Sequence, residues 1–406
     1  MKIGLFAENY YPYICGINPI LRTLLHRLKD EGHEVYLVTY NVPRIYKANK
    51  DNPQIIMVDG IRLPRYFVNS FCTSYVFRKK KAAEKIHEKV QFDIIHVHGE
   101  FSMSKIAQAY SKKYNVPMVY TWHSLWRDIM YKVTWVFGLI AALYVEHYNI
   151  RRVTNASDIY TVPSMKVYKR AKQVIKLKND PVLLPSGIQV EPFLTSDEKH
   201  IQSIRYHYRL ENKKVILFLG RVSREKRILT IIRYMKRMLK RDPNVVVAIV
   251  GTGIYTAHIA KWAKRHHLVD SIIFVGAVMN RDTADFYHLA NVFISGSRME
   301  TQGLTYIEAM TSKAIVLAQN DPVLEGVIND GKNGFVFNNK KEFLMKLNNI
   351  LANGDKMDDI REAAREKGLQ YSSDIYIKRL QEIYAEAIKI HQQKTLEKEE
   401  KLCKKN

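Results

Sequence analysis

Two glutamates, Glu300 and Glu308, mark the segment with the highest density of candidate chemistry. Glu300 is predicted to lie in the loop after a buried strand, and Glu308 inside the helix that Gly303 begins. They are a little over two helical turns apart, so both carboxylates can face the same side at different depths. Between them, the backbone amides of Gln302, Gly303 and Leu304 open toward an anion.

Two carboxylates flanking a group of amides suit a nucleotide sugar. One acid would bind sugar hydroxyls, the amides would bind phosphate, and the other acid would bind the ribose diol. The alternative interpretation is a pair of ordinary surface glutamates. The position at the carboxyl end of a strand favours the binding site, because ligands of open α/β sheets bind there.

A basic loop follows another predicted strand, Val215–Leu219, and contains Arg221 and Lys226. A guanidinium offers a planar fork of donors and an ammonium a point charge, so the two could hold a diphosphate and stabilise it as it departs. A solvated surface loop is the alternative.

Two glycines stand at equivalent places after other strands. Gly16 precedes a helix predicted from about Asn18 to Glu31, where it would let amides approach an anion or a sugar oxygen; a tight turn that needs glycine is the alternative. Gly251 belongs to a Gly-Thr-Gly sequence whose third fingerprint position is Thr256. This departure argues against a nicotinamide-dependent dehydrogenase.

Histidines follow two strands of the first half. His96 and His98 stand two residues apart, with Glu100 after them, so a metal site is conceivable, although core or cleft-lining histidines fit better without a third ligand. His123 follows the next strand and as a neutral imidazole could hydrogen-bond a sugar hydroxyl or the reacting centre.

Short apolar runs alternate with amphipathic stretches of helical length along the whole chain, which predicts two series of βαβ units. The sequence therefore predicts an α/β protein with two Rossmann-like domains facing a cleft. We expect domains at 1–190 and 191–373, followed by a separate C-terminal helix with a charged tail, 374–406. The predicted strands are Lys2–Ala7, Glu34–Thr39, Phe92–Val97, Pro117–Thr121, Asp158–Val162, Val215–Leu219, Val245–Val250, Ser271–Val275, Asn291–Ser295 and Ala314–Leu317.

The composition fits a folded protein of 406 residues, with 47% hydrophobic residues and a formal net charge of +24 that is spread over both halves. Such a surface favours polyanions, namely nucleic acid, anionic lipids or phosphorylated substrates. No nucleic acid is expected as a partner, because no recognised nucleic-acid motif occurs. Three dispersed cysteines and a short apolar N-terminus predict a reduced, cytoplasmic setting without a signal peptide.

Features of the first half predict contact with anionic membrane lipids. Lysines recur at helical spacing after Arg78, a second basic helix is predicted at Lys166–Lys178, and aromatic residues are frequent in 125–148. Basic helices beside aromatic side chains are typical of interfacial proteins, and no run is long enough to span a bilayer. A solvated surface with an ordinary helical core is the alternative.

The segment from Glu300 to Ala309 resembles the signature of retaining GT-B glycosyltransferases of family 4. The resemblance covers nearly the full chain through the Gly16 loop, His123, Pro185-Ser-Gly187, the Gly220-Arg221 loop with Lys226, and Asp330-Gly-Lys-Asn-Gly334. The segments around Glu300 and His96 are most similar to bacterial 1,2-diacylglycerol 3-glucosyltransferases.

This resemblance implies transfer of a hexose, glucose or galactose, from a UDP-sugar to diacylglycerol at the cytoplasmic membrane face, with retention and without a metal or other cofactor. A saccharide, sterol or other acceptor in envelope synthesis is the alternative. By the resemblance, Arg221 and Lys226 hold the diphosphate, Glu300 binds the 3- and 4-hydroxyls of the sugar, Glu308 binds the ribose and His123 contacts the 6-hydroxyl.

Overall fold

The computed structural model describes residues 1–13, 15–62, 74–75, 78–127, 135–174, 179–278 and 280–404. The side chains of 61–62, 74–75, 135–139, 174 and 280–281 lie outside this description. The chain divides into two compact units. The first combines Met1–Gly187 with Ser373–Asn406, and the second is Ile188–Ser372.

The first unit is built on a parallel sheet of seven strands. The strands of this unit are β1 (Lys2–Phe6), β2 (Glu34–Tyr40), β3 (Ile55–Val58), β4 (Ile61–Arg62), β5 (Ser74–Tyr75), β6 (Ile94–Val97), β7 (Met118–Thr121), β8 (Ile159–Val162) and β9 (Val182–Leu183). The sheet order is β3-β2-β1-β6-β7-β8-β9, and β4 pairs with β5 in a separate antiparallel ladder. Strands β1, β6, β7 and β8 are almost entirely buried, as expected of parallel strands covered on both faces.

Helices connect these strands and cover the sheet. In α1, Ile20, Leu21, Leu24, Leu25 and Leu28 are buried on one face, which is the pattern of an amphipathic helix on a core. The helical segments of this part of the chain are α1 (Ile17–Asp30), α2 (Pro43–Asn49), α3 (Lys79–Lys89), α4 (Ser102–Tyr114), α5 (Trp135–Tyr144), a π-helix (Val145–Ile150), α6 (Arg151–Ala156) and α7 (Met165–Val174).

The second unit is built on a six-stranded parallel sheet. Its strands are β10 (Lys214–Leu219), β11 (Val245–Val250), β12 (Ile272–Gly276), β13 (Val292–Ser295), β14 (Val316–Gln319) and β15 (Phe335–Phe337). Their order is β12-β11-β10-β13-β14-β15. Its helices are α8 (Glu191–Leu194), α9 (Glu198–His207), α10 (Ile228–Arg241), α11 (Thr256–Arg265), α12 (Asn280–Leu289), α13 (Leu304–Thr311), α14 (Lys340–Asn353) and α15 (Asp358–Leu369), with 3-10 turns at Arg224–Lys226, Pro322–Leu324 and Gly354–Lys356.

Both sheets reverse their strand order next to their first strand. In the first unit the reversal lies between β1 and β6, and in the second between β10 and β13. At such a point the connecting helices leave toward opposite faces, and the loops after the two strands enclose a crevice at their carboxyl ends. The two-domain α/β prediction is confirmed, and these crevices are the places to look for ligand-binding side chains.

The C-terminal helix α16 (Ser373–Cys403) belongs to the first unit, so the prediction of a separate segment at 374–406 is wrong. The reason is an apolar face of α16 that is buried in that unit. Polar contacts reinforce it: Asp374 forms an ion pair with Arg27, and Lys394 Nζ lies 3.0 Å from Asp158 Oδ1. The buried side chains of α16 are Ser373, Tyr376, Ile377, Leu380, Ile383, Tyr384 and Ala387.

Some predicted features lie partly outside the described residues. The second basic helix, predicted at Lys166–Lys178, is described as far as Val174, and residues 128–134 of the aromatic stretch are not described. Within the described ranges, no helix combines the length and the apolar character needed to cross a bilayer.

Candidate active site

Lys226 and Glu300 meet at the carboxyl ends of β10 and β13. These strands pair in parallel, with Ile216 opposite Val292, so the loops that follow them are neighbours. Lys226 Nζ lies 2.5 Å from Glu300 Oε1, and the two side chains are only 23% and 16% exposed. The structure thus brings together two residues that the sequence analysis assigned to one site.

The loops after β10 and β11 come unusually close, and this explains the Gly-Thr-Gly sequence. Gly251 has φ of +123°, and a Cβ there would collide with the carbonyl oxygen of Gly220. The close approach is held by backbone hydrogen bonds, among them Val222 N–H to Thr252 O at 3.0 Å. Gly251 therefore has a structural role in shaping the loop that carries Arg221.

Arg221 is exposed and makes an ion pair within its own loop. Its Nη2 atom lies 3.1 Å from Glu225 Oε1, and 49% of its side chain is exposed. Lys226, by contrast, faces Glu300. Of the two predicted diphosphate ligands, Lys226 contacts Glu300 and Arg221 contacts Glu225.

Gly303 begins α13 in the left-handed conformation, with φ of +75°. A Cβ at this position would lie 2.5 Å from the ring of Tyr306, so the turn requires glycine. Leu304 is the first helical residue, and Gln302 before the turn is buried. The amides of a first helical turn have no acceptor within the helix, so this end of α13 is suited to negative charge.

Glu308 lies one turn further into α13 and is hydrogen-bonded to Tyr287. The Tyr287 hydroxyl donates to Glu308 Oε2 at 2.8 Å. Burial raises the pKa of Glu308, and the bond from Tyr287 acts in the opposite direction. The tyrosine therefore holds the carboxylate in a fixed orientation while helping it stay ionised.

Gly16 lies directly before α1 in ordinary right-handed backbone, with φ of −63°. Among the described residues, a Cβ there would meet nothing within 4 Å. The backbone conformation thus does not require glycine, which removes the tight-turn interpretation. Contacts with the described residues do not require glycine at this position either.

Three histidines of the first unit, His96, His98 and His123, lie together; His96 and His98 are buried, and His123 is partly exposed. His98 Nδ1 lies 3.0 Å from His123 Nε2, and His96 is hydrogen-bonded to Tyr384 at 2.8 Å and to Thr121 at 2.7 Å. Burial lowers the pKa of His96 to about 3 and that of His123 to about 4, so both rings are neutral at neutral pH. In the described part of the chain, no group of three or more His, Cys, Asp or Glu side chains is arranged to hold a metal ion.

A buried glutamate at the first sheet's crevice was not identified from the sequence. Glu8, directly after β1, accepts hydrogen bonds from the amides of Phe101 at 3.0 Å and Met103 at 3.1 Å and from the Tyr40 hydroxyl at 2.5 Å. Burial raises the pKa of Glu8 to about 7. A carboxylate at a strand end was the available signal, but its partners are far away in the sequence.

Glu100, after β6, is the second buried acid of this crevice. Its Oε1 accepts a hydrogen bond from Tyr120 at 3.1 Å, and burial raises its pKa to about 7. Arg152 donates to the backbone carbonyl of Glu100 at 3.2 Å and to Ser104 at 2.9 Å. The crevice of the first unit is therefore lined by a network of hydrogen-bonded polar side chains.

Comparison with known proteins finds glycosyltransferase families for both halves of the chain. A family model described as Glycosyltransferase Family 4 matches residues 14–192, and one described as Glycosyl transferases group 1 matches residues 201–367. An α-monoglucosyldiacylglycerol synthase of Acholeplasma laidlawii is 30% identical over 96% of this chain and 98% of its own length. A second enzyme of that name, from Streptococcus pneumoniae, is 26% identical over 96% of this chain and 86% of its own.

The fold is shared with solved structures. The Anabaena protein Alr3699/HepE, crystallised in complex with UDP, has a TM-score of 0.73 at 16% identity, over 95% of this chain and 100% of its own. The two Rossmann-like units, the two family matches and the relatives that align over most of their length all support the same family. The chain belongs to the family 4 glycosyltransferases with the GT-B fold and is a hexosyltransferase.

Proposed function

We propose that this enzyme transfers a hexose, glucose or galactose, from a UDP-sugar to diacylglycerol at the cytoplasmic face of a membrane and makes a monoglycosyl diacylglycerol. The observation that carries the proposal is the contact between Lys226 and Glu300 at the crevice of the second sheet, next to the helix start at Gly303. The name shared by the relatives from Acholeplasma and Streptococcus supports the lipid acceptor.

The donor would bind at this crevice by its diphosphate. Lys226 has three N–H donors, so it can bind a phosphate oxygen while it keeps Glu300 within reach. Arg221, being exposed, is free to turn from Glu225 toward the second phosphate. The amides at the start of α13 add donors for the same group. The UDP bound in the related Anabaena structure supports a uridine nucleotide.

The two acids would then divide the remaining polar groups of the donor. Glu300 accepts hydrogen bonds from the sugar hydroxyls, and Glu308, already oriented by Tyr287, accepts from the ribose. His123, a neutral imidazole, would contact the 6-hydroxyl of the sugar. The backbone at Gly16, Gly251, Gln302, Gly303 and Leu304 completes the proposed donor site.

In the proposed reaction the bond between the anomeric carbon and the phosphate oxygen breaks. The acceptor hydroxyl forms the new bond on the same face, its proton passes to the departing phosphate, and the products are UDP and the glycolipid. Negative charge grows on the diphosphate as it leaves, and Lys226 with Arg221 stabilises that charge. Because these cations supply the stabilisation, we propose that the enzyme requires no metal.

Membrane contact is proposed from exposed features of the first unit. Ile140, Tyr144 and Tyr148 follow one another at about one helical turn and are 60%, 59% and 52% exposed; we call them the apolar stripe. Helix α3 buries Ala82, Ala83 and Ile86 and exposes lysines on its other side. Exposed apolar groups and lysines on one unit suit the interface of an anionic membrane.

The proposal is tested by incubating the enzyme with UDP-glucose or UDP-galactose and vesicles of anionic lipid, with and without diacylglycerol. Thin-layer chromatography follows the lipid product and a coupled assay follows UDP. We expect diacylglycerol-dependent release of UDP with one of the two donors. Glu300→Gln should abolish transfer, whereas the matched change Glu211→Gln, at an exposed glutamate, should leave it unchanged.

Two results would contradict parts of the proposal. Transfer to a saccharide or a sterol, with none to diacylglycerol, would replace the acceptor and keep the enzyme class. Full activity in Glu300→Gln would show that the proposed donor site is wrong.

A further inference from the structure

A second polar cavity lies in the second unit, at the opposite end of the sheet from Lys226 and Glu300. Its volume is about 440 Å³. It is lined by the residue before β13, Asn291, and by the residues after α13, Ser312 and Lys313, so it opens at the amino ends of the strands. None of the residues discussed above as donor ligands lines it.

The cavity is lined by an excess of cations. Arg205, Arg361 and Arg365 all contribute to its wall, as does Lys313, whose partner is Glu362. Within the described residues, the three arginines have no carboxylate within 4 Å that would form an ion pair.

Backbone carbonyls hold the guanidinium groups in place instead. Arg205 donates to the carbonyl of Leu289 at 3.0 Å, Arg361 to that of Lys313 at 2.7 Å, and Arg365 to that of Leu194 at 2.8 Å. These neutral acceptors fix the guanidinium groups without cancelling their charge.

Two buried polar atoms on the wall have no hydrogen-bond partner in the described part of the chain. They are Ser312 Oγ, in a residue that is 3% exposed, and His288 Nε2. A buried polar atom without a partner is costly, and such atoms at a cavity wall indicate a missing ligand or bound water. Both atoms are covered by protein, so the Ser312 side chain must turn about its Cα–Cβ bond before its hydroxyl can donate to an anion that faces the arginines.

Other groups near the cavity do not neutralise it. Asp285 is paired with His200 at 2.7 Å. Its charge also raises the pKa of His288 on the cavity wall, but burial is the larger influence and lowers that pKa. Asp355 and Asp358 are close enough to Arg361 to raise its pKa, but burial is the larger influence and lowers it. The last carbonyls of α13 are already occupied, since those of Glu308, Ala309 and Met310 accept from the amides of residues 312 to 314. An anion in the cavity would therefore not be repelled by unpaired carbonyl oxygens of these three residues.

We infer that this cavity binds a small anion that carries a phosphate group, separate from the donor. Guanidinium groups fixed in a partly buried wall match the geometry of phosphate oxygens, and the serine hydroxyl adds a neutral donor. The volume admits a phosphate with a small organic substituent. Tyr287 lines the cavity while its hydroxyl donates to Glu308, so the bound anion would touch a residue that orients a proposed donor ligand.

The test is calorimetric titration of the full chain with inorganic phosphate, in the presence of saturating UDP so that the donor site is occupied. We expect one binding event, weakened about tenfold or more in Arg361→Gln and in Arg365→Gln. Arg265→Gln, at an exposed arginine of α11, is the matched control and should bind as the unmodified chain does. Thermal unfolding without phosphate shows whether each variant is folded.

Ser312→Ala provides a second, milder variant, because its hydroxyl has no partner to lose; it should weaken phosphate binding several-fold without a loss of stability. The inference would be overturned if phosphate did not bind to the unmodified chain. It would also be overturned if Arg361→Gln, Arg365→Gln and Ser312→Ala all bound phosphate with the affinity of the unmodified chain.

The source of the phosphate is separated by two further arms, glycerol 3-phosphate in solution and phosphatidylcholine vesicles that contain phosphatidic acid. If the arginine variants lose binding to phosphate and glycerol 3-phosphate but still bind the vesicles, the ligand is a free phosphate compound. Loss of vesicle binding as well assigns a lipid headgroup.

Discussion

Lys226 Nζ lies 2.5 Å from Glu300 Oε1, although 74 positions separate the two residues in the sequence. The contact exists because β10 and β13 are neighbours at the point where the order of the second sheet reverses. It joins the basic loop and the acidic loop in one place.

Replacing Lys226 by alanine should lower kcat/KM for the donor about 100-fold or more, because one preorganised donor to the departing phosphate is lost. The change also removes the Lys226 ammonium from beside the partly buried Glu300 carboxylate. Initial rates of UDP release measure the effect, and Lys240→Ala at the exposed end of α10 serves as the control. A Lys226→Ala enzyme with the kinetics of the control would exclude a role in donor binding.

Glu100 should make the stability of the first unit dependent on pH. Burial raises its pKa to about 7, so between pH 4.5 and 7 the folded chain keeps a proton that the unfolded chain has lost. Stability from this group is therefore fully present below pH 4.5 and is lost as the pH rises toward 7. Glu100→Gln removes the titration of this group and should reduce the slope, by up to about 3 kcal/mol across this window. Glu8, whose pKa burial also raises to about 7, keeps its own contribution to the slope in the variant.

Urea unfolding at pH 5 and at pH 7.5 measures that slope. Glu88→Gln, at an exposed position of α3, should retain the slope of the unmodified chain. If Glu100→Gln shows the same pH dependence as Glu88→Gln, the buried carboxyl is not protonated in the folded state.

Tyr384→Phe should destabilise the first unit. The hydroxyl lies 2.8 Å from His96 Nδ1, both side chains are buried, and its removal leaves a ring nitrogen without a partner. The expected cost is about 1–3 kcal/mol of unfolding free energy. Chemical unfolding of the full chain checks this against Tyr206→Phe, at a side chain that is 79% exposed. Equal stabilities would show that the contact between α16 and His96 contributes little.

Ile140→Ser should weaken association with anionic vesicles about tenfold, because it removes apolar surface from the apolar stripe. Ile254→Ser is the matched control, since Ile254 is 85% exposed in the second unit. Co-sedimentation at several salt concentrations measures binding. Equal loss in both variants would indicate a general change in the surface and would contradict a membrane role for the stripe.

The sequence was most informative where strands are long and apolar. The run from Val245 to Val250 was predicted with its observed bounds, and the loop after β13 was correctly expected to precede a helix. The sequence does not predict five short strands, because a few residues carry no periodic signal. They are Ile55–Val58, Ile61–Arg62, Ser74–Tyr75, Val182–Leu183 and Phe335–Phe337.

Partners remote in the sequence could not be predicted from it. The three hydrogen bonds to Glu8 come from residues 40, 101 and 103, which the order of the sheet brings together. The docking of α16 was likewise missed, although Tyr376, Leu380, Tyr384 and Ala387 repeat at helical spacing. A helix with such a face requires a surface to cover, but the sequence alone does not say which one.

The two ends of the second unit lie side by side. Ile188 N–H donates to the carbonyl of Tyr371 at 2.9 Å, and Ile188 also forms a bridge with Ser372. During synthesis on the ribosome, α16 is therefore made only after the entire inserted domain, and until then the N-terminal sheet lacks this helix. The inserted domain is complete, with both of its ends, before α16 is made, so it can fold first. During that interval the N-terminal half would expose the surface that α16 later covers. Chaperone dependence of the nascent chain should accordingly be concentrated in the half that is translated first.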